Sequence, residues 1–303
     1  MKKTLVILIC VILFNHINAV DSKGFMPEKT VLQVEKFDYE GVEIRMLLVE
    51  GFKFKWNNTI IYIDPYGIAE YMTPVFEPAD FILITHSHTP HNSKPDIYKL
   101  IDDETKVVKY SSVDIGETRS YGNLSFEFVP AYNVDKYRPE SNTLFHPPEY
   151  GWMGVIIDFN GVKVYHAGDT DRIPEMKAVV TDIALLPVSG YAWMTAAEAA
   201  GAVEDLKNSS DLEYAIPMHY TATAGTKNDA LQFSELAQCN VIILESFYEW
   251  YPKHTTTKTK ATVSASATNG HSSPGWTFSI LPPAILTILM FSKLKLNRKR
   301  GNL

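Results

Sequence analysis

Residues 80–91 read DFILITHSHTPH, an apolar run of strand length followed at once by three histidines. The run has no helical period, so it predicts a buried strand over residues 80–85. His86, His88 and His91 then lie on the loop that leaves the strand, where functional side chains tend to gather. A chance cluster of exposed histidines is the alternative, and the position at a strand end disfavours it. Because neutral imidazoles are good ligands for Zn²⁺ and similar borderline metals, the stretch predicts a metal site.

Two further motifs also follow predicted strands. Residues 166–171 read HAGDTD, in which Gly168 lets the turn tighten and Asp169 projects from the strand end. Residues 215–220 read AIPMHY and end a short strand with His219. Taken alone, the first motif is a common turn, and the second favours a core histidine over a ligand. Their shared position at strand ends links them to the first motif.

The body of the chain, residues 20–252, alternates strands with helices. Strands are predicted at residues 42–49, 59–63, 124–129, 155–159, 162–166, 183–186 and 241–244. Thr195 and Glu198 have the spacing of a capping box, which predicts a helix over residues 195–206. The body shows neither a repeat of fixed period nor an internal linker. The pattern therefore predicts a single α/β domain.

Together, and in this order, the three motifs resemble those of the metallo-β-lactamase-fold hydrolases. Asp64, in the run IYIDP, fits the aspartate that this family places early, and residues 129–133, 145–147 and 184–187 resemble a largely uncharacterised prokaryotic branch. The resemblance implies the αβ/βα four-layer sandwich of the family and a metal-dependent hydrolase. The branch is related to a phospholipase D for N-acyl phosphatidylethanolamine and to ascorbate-phosphate lactonases. A small-molecule or lipid-like substrate is therefore implied.

The resemblance also implies a set of ligands. His86 and His88 would bind a first Zn²⁺ or similar divalent ion, His91 and His219 would bind a second, and Asp169 would bridge the two. Such metals activate a water molecule for attack on an ester, lactone or phosphodiester. Asp169 would also accept a proton, and Tyr220 could donate a hydrogen bond to an oxyanion. A purely structural role for Tyr220 fits equally well.

The sequence departs from the family at two positions. Pro90 stands where the family has the aspartate of its His-x-His-x-Asp-His motif, and proline offers neither a carboxylate nor an N–H. Asn133 stands where many relatives have a histidine, and His146 is a candidate replacement. We therefore expect one ion held tightly and a second held weakly or not at all. A protein that has kept the fold but binds a metal or ligand without turnover is the alternative to an enzyme.

Other side chains beside the motifs are interpreted as support. His166 precedes the Gly168-Asp169 turn and is assigned to the layer behind the ligands or to the core. Trp152, Tyr191 and Trp193 flank the motifs. They could line an apolar substrate pocket, but packing within the fold is the favoured role.

The charge distribution excludes one class of partner. The chain has 303 residues and a formal net charge of −7, and residues 21–249 hold all 35 acidic residues but only 18 of the 28 basic ones. That span is therefore 17 charges negative and would repel a polyanion, so nucleic acid is not expected as a partner. Cys239 is the only cysteine of the span, which excludes an internal disulfide there.

Both ends of the chain carry features of an exported protein. Residues 1–19 have the charged, apolar and small-residue order of a secretory signal peptide, with an uncleaved anchor as the alternative. Residues 253–275 are rich in Thr and Ser, which predicts a flexible stalk. Residues 276–303 join a charge-free run to a basic tail, which predicts a membrane anchor or a removed sorting signal. We expect the body at the outer face of the cytoplasmic membrane or the cell surface, and the oligomeric state stays open.

Overall fold

The computed structural model describes residues 29–70, 76–221 and 224–246. Within these ranges the chain forms fourteen strands and three α-helices. The predicted signal peptide at residues 1–19, the stalk at 253–275 and the anchor at 276–303 lie outside the described residues. In the part that is described, no helix has the length and apolar character needed to cross a membrane.

The first sheet has six strands from the N-terminal part of the chain. In sheet order they are β2 (Phe37–Tyr39), β3 (Val42–Met46), β4 (Phe52–Trp56), β5 (Thr59–Ile63), β6 (Phe81–Ile84) and β7 (Lys106–Lys109). The pairs from β2 to β5 are antiparallel, and the pairs β5–β6 and β6–β7 are parallel. A parallel pair needs a crossover, which α1 (Lys94–Leu100) supplies between β6 and β7. Ile97 and Leu100 of α1 pack on the outer face of this sheet.

The second sheet has eight strands. In sheet order they are β1 (Val31–Val34), β14 (Asn240–Leu244), β13 (Tyr214–Met218), β12 (Ile183–Pro187), β11 (Val162–His166), β10 (Met153–Phe159), β9 (Leu124–Pro130) and β8 (Thr118–Tyr121). The pairs from β1 to β11 are parallel, and the pairs from β11 to β8 are antiparallel. The helices α2 (Ala196–Lys207) and α3 (Lys227–Leu236) pack beside β12 and β13.

The inner faces of the two sheets form the main core. Phe52 and Phe54 of β4 and Phe126 and Phe128 of β9 are fully buried there. The rings of Phe54 and Phe159 lie 6.0 Å apart, across the space between the sheets. Because α1 covers the first sheet and α2 and α3 cover the second, the predicted αβ/βα four-layer sandwich is confirmed.

Most predicted strands are present within one or two residues, and the capping box of Thr195 and Glu198 begins α2 as expected. The strand predicted at residues 42–49 is wrong in its last three residues, because β3 ends at Met46. The chain turns before β4, and Val49 has φ of 59°, which is rare for a β-branched side chain. This turn brings Glu50 into the interior of the protein, where its side chain is fully buried.

Candidate metal centre

The strand-end motifs of the two sheets meet in a buried cluster of histidines and acids. Their side chains form three overlapping groups whose potential ligand atoms lie within 4.8 Å of one another: His86, His88, His146 and Asp169; Glu50, His91 and His219; and Asp64, His86 and His91. The first two are called here the first and second ligand groups. All five ligands predicted from the sequence are in these two groups.

The first ligand group presents three imidazoles and one carboxylate to a common point. Nε2 of His86 lies 3.1 Å from Nδ1 of His88. Oδ2 of Asp169 lies 3.1 Å from Nε2 of His146 and 3.6 Å from Nε2 of His86. Three nitrogen donors and one oxygen donor are a typical set for Zn²⁺ and related divalent ions. His146, the candidate replacement for the histidine expected at Asn133, is therefore one of these donors.

A chain of hydrogen bonds fixes the ring of His86. The hydroxyl of Thr85 donates to Oδ2 of Asp64, while the backbone N–H of Thr85 donates to Oδ1 at 2.8 Å. The Thr85 oxygen is thus free to accept from Nδ1 of His86, which lies 3.1 Å away. With its proton on Nδ1, the His86 ring turns the lone pair of Nε2 toward the centre.

His146 is oriented in the same way by Asn133. Oδ1 of Asn133 lies 2.8 Å from both the backbone nitrogen and Nδ1 of His146. The amide nitrogen of Asn133 donates to the carbonyl of Ala192 at 2.9 Å, which fixes which end of the amide faces His146. The amide oxygen can only accept, so Nδ1 of His146 carries the proton and Nε2 faces Asp169.

The second ligand group lies on the other side of Asp169. Nε2 of His219 is 2.8 Å from Oδ1 of Asp169, and Nε2 of His91 is 3.4 Å from Oδ2. Nδ1 of His91 donates to Asp64 at 2.8 Å, which leaves its Nε2 for the centre. Oδ1 of Asp169 thus lies against His219, and Oδ2 lies against His86, His146 and His91, so this carboxylate contacts histidines of both ligand groups.

Glu50 is the functional candidate that sequence reasoning missed. Its side chain has no exposed surface, and its oxygens lie 3.2 Å from Nδ1 of His91 and 3.6 Å from Nε2 of His219. The sequence predicts a strand over residues 42–49, so it does not predict the turn that carries the Glu50 side chain into the site. The signal available in the sequence was a single acid inside the otherwise apolar run LLVEGF.

The electrostatics of the centre favour neutral imidazoles beside an ionised carboxylate. Burial lowers the pKa of His88 to about 4, and burial also lowers the pKa of His86 and His219. Burial opposes ionisation of Asp169, but the surrounding histidines outweigh it and hold its pKa well below the ordinary value. His91 is the exception, because Glu50 and the two aspartates raise its pKa against the effect of burial.

Several buried polar atoms of the centre make no hydrogen bond within the described part of the chain. They are both oxygens of Glu50, Nε2 of His146, Oδ1 of Asp169 and both ring nitrogens of His219. Buried polar groups are almost always satisfied, so these atoms call for a further partner. All but one are lone-pair donors grouped around Asp169, and a divalent cation would satisfy them. The residues present therefore fit a metal.

The remaining predicted side chains support the centre or lie outside it. The Tyr220 hydroxyl donates to the carbonyl of Leu244, so the structure gives an oxyanion role for Tyr220 no support. His166 lies behind the ligands as expected: its Nε2 is 2.9 Å from the carbonyl oxygen of Glu50. The ring of Trp152 packs at an angle against His86 and His88, with centroids 4.9 Å away from each, and the ring of Trp193 lies 3.9 Å from that of His219. Both tryptophans therefore pack against ligands, whereas Tyr191 is exposed.

A pocket of about 380 Å³ opens beside His88. Phe145 and Trp152 line its apolar part, and Arg138 is the one cation among its described lining residues. The guanidinium of Arg138 donates to the carbonyl of Phe145 at 3.1 Å, and the same nitrogen lies 3.2 Å from Nε2 of His88. The pocket thus places a positive charge within reach of a molecule bound at the first ligand group.

Comparisons with known proteins agree with this geometry. Residues 43–219 match the family described as the beta-lactamase superfamily domain. A UPF0173 metal-dependent hydrolase of Thermococcus onnurineus is 30% identical over 230 residues, which cover 67% of this chain and 96% of the relative. Another, from Archaeoglobus fulgidus, is 28% identical over 61% of this chain and 86% of its own length.

Two solved structures have a similar fold. One, described as a metal-dependent hydrolase from Parabacteroides distasonis, has a TM-score of 0.58 and 27% identity, and covers 70% of this chain and 97% of its own. The other is a metallo hydrolase from Ignicoccus hospitalis, with a TM-score of 0.52 and 21% identity over 67% of this chain and 95% of its own. At that lower identity the second structure supports the fold alone.

Proposed function

The chain belongs to the beta-lactamase superfamily of metal-dependent hydrolases, and on that premise we propose that it hydrolyses a small ester or phosphodiester that carries an anionic group. The observation that carries the proposal is the first ligand group. His86, His88, His146 and Asp169 present four donor atoms to one buried point, and hydrogen bonds behind the rings fix two of the three histidines. This complete set favours an enzyme over the alternative, a protein that binds metal without turnover.

When bound, a divalent ion polarises the substrate and lowers the pKa of a water molecule. The protein contributes the rest. The low pKa of His88 keeps the ring neutral and ready to bind a cation at physiological pH. Asp169 is held ionised at the centre, so its carboxylate is available there as a ligand, whereas its low pKa makes it a weak proton acceptor. Trp152 and Trp193 pack against the ligand rings and restrict their movement.

The pocket beside His88 indicates the substrate class. An arginine offers planar, charge-assisted donors that suit phosphate and carboxylate groups. Arg138 is the one cation and Glu149 the one acid among the described residues that line the pocket, and the guanidinium of Arg138 is the group that lies against His88. Phe145 and Trp152 provide apolar area beside it, which suits an aromatic or acyl group on the substrate. Among the ester, lactone and phosphodiester classes, we therefore favour the anionic members.

The test is hydrolysis by the purified protein loaded with Zn²⁺, Mn²⁺ or Fe²⁺. We expect turnover of bis-nitrophenyl phosphate that is abolished by Asp169→Asn and by His86→Ala. Asp103→Asn, at an exposed turn position outside the ligand groups, is the matched control and should keep full activity. A protein that holds its metal but hydrolyses none of the esters, lactones and phosphodiesters offered would support the non-catalytic alternative.

We also propose that the enzyme is exported and held at a membrane surface. The support is the signal-like order of residues 1–19 and the charge-free run with a basic tail in residues 276–303. Protease added to intact cells should then degrade the body. A body that stays protected until the cells are lysed would contradict the proposal.

A further inference from the structure

We propose that Glu50 is a ligand of a second metal ion and replaces the aspartate that the chain lacks at Pro90. Its partners in the second ligand group are His91 and His219, and Asp169 of the first ligand group contacts both of these histidines. The inference rests on the proposed function only in that it needs a metal at the neighbouring first ligand group. It predicts a stronger second site than the one expected from Pro90 alone.

The composition of the second ligand group is the first support. His91 and His219 supply two imidazoles and Glu50 supplies a carboxylate, a set of three protein ligands that suits a divalent ion, and Asp169 lies against both histidines. Oε2 of Glu50 lies 3.6 Å from Nε2 of His219, which itself lies 2.8 Å from Asp169. Both carboxylates therefore lie near the His219 nitrogen, and His91 lies next to both.

The isolation of the Glu50 carboxylate is the second support. Both of its oxygens are buried without a hydrogen bond, and in the described part of the chain its ion-pair contacts are with His91 and His219 alone. An unpaired buried carboxylate is costly to the fold. Pairing with His91 does not remove the need for a partner, because Nδ1 of His91 already donates to Asp64 at 2.8 Å. A cation between Glu50 and His219 would neutralise the charge.

The backbone around Glu50 is built to hold this side chain in place. The N–H of His219 donates to the carbonyl of Val49 at 2.8 Å, and the N–H of Val49 donates to the hydroxyl of Thr221 at 2.9 Å. His166 donates to the carbonyl of Glu50 at 2.9 Å. These bonds hold Val49 at its unfavourable φ of 59°, and backbone strain of this kind concentrates at functional sites.

Gly51 completes the turn by close approach to the neighbouring strand. A Cβ at this position would lie 2.8 Å from the carbonyl oxygen of Asp64, so any other residue would push the turn away from β5. Glu50 is thereby fixed beside Asp64, which orients His91 through its side chain. Asp64 thus contacts both the turn, at Gly51, and the histidine loop, at His91.

The experiment counts the ions bound to the wild-type chain, to Glu50→Gln and to Glu149→Gln, a control that removes an acid from the pocket rim. Calorimetric titration with Zn²⁺ and metal analysis after dialysis should give two ions per wild-type and control chain. Glu50→Gln should keep one ion and lose at least tenfold in affinity for the other. Two ions held with unchanged affinity by Glu50→Gln, or a single ion in the wild type, would overturn the inference. A wild type that binds no ion would instead refute the proposed function.

Thermal unfolding separates a ligand from a merely structural acid. Without metal, Glu50→Gln should unfold at the same temperature as the wild type or higher, because the amide is a neutral side chain of the same shape in place of a buried acid that makes no hydrogen bond. With Zn²⁺, the wild type should gain more in unfolding temperature than Glu50→Gln. Glu50→Asp, which keeps the carboxylate on a shorter side chain, should show intermediate affinity. A metal-free Glu50→Gln that is destabilised, with an undiminished gain from Zn²⁺, would show that Glu50 serves the fold alone.

Discussion

The amide oxygen of Asn133 lies 2.8 Å from Nδ1 of His146, and this contact decides which nitrogen of His146 faces the metal centre. The two residues lie on the long connection between β9 and β10, so neither is placed by a strand. Asn133 therefore acts on the first ligand group through His146, whose ring it orients.

Asn133→Ala should weaken metal binding at the first ligand group by about 10- to 100-fold, because the His146 ring would lose its fixed orientation. Titration with Zn²⁺ measures the change. Asn228→Ala, the same substitution at an exposed position of α3, is the control and should bind as the wild type does. Equal affinities for the two variants would contradict the positioning role of Asn133.

Arg138→Ala should raise KM for an anionic phosphodiester by about 10- to 100-fold, as expected for the loss of a charge-assisted hydrogen bond. KM for a neutral ester and the metal content should change little. Arg119→Ala, which removes an arginine on β8 that pairs with Glu117, is the control. An equal effect on neutral and anionic substrates would argue against charge recognition at this pocket.

The metal-free protein should lose stability as the pH falls from 7 to 4. Burial lowers the pKa of His88 to about 4, so between about pH 6.5 and 4 the unfolded chain takes up a proton there that the folded chain does not. Acidification therefore favours unfolding, by about 2 kcal/mol from this residue once its partial exposure is allowed for. Denaturant titrations should show a flatter pH dependence for His88→Asn than for the neighbouring variant Ser87→Ala. Identical slopes would contradict the shift.

Phe128→Ala should lower the free energy of unfolding by about 3–5 kcal/mol, because the phenyl ring is fully buried between the two sheets and its removal leaves a cavity. Tyr98→Ala, at a side chain of α1 that is 70% exposed, should change it by about 0.5 kcal/mol or less. Both values follow from urea denaturation monitored by circular dichroism. A small loss for Phe128→Ala would mean that the sheets pack less tightly than described.

The parts of the fold that the sequence predicts are those set by local patterns. Residues 59–63 and 162–166 form strands with the predicted bounds, because each is a compact apolar or alternating run. The capping box of α2 is a contact between residues three apart, so it is visible in the sequence. The five predicted ligands meet because each follows a strand, and strand ends of adjacent sheets share an edge.

What the sequence does not predict depends on distant contacts. The turn at Val49 and Glu50 is held by His219 and Thr221, about 170 residues further along the chain. No local sequence pattern predicts this turn, so the predicted strand runs to residue 49 instead of ending at Met46. The short strands β1 and β2 were missed for a related reason, because three or four residues with partly exposed side chains give too little periodicity to detect.

The ligands of the centre come from both halves of the sandwich, and this has a consequence for the order of events in folding. His86, His88 and His91 follow β6 of the first sheet, whereas His146, Asp169 and His219 belong to the segments around the second. In a nascent or unfolded chain, only the three clustered histidines lie close enough together to bind one ion. The other ligands are far away in sequence, and such long-range contacts form late in folding. The moment during refolding at which an ion becomes resistant to a chelator would therefore mark the time when the two sheets meet.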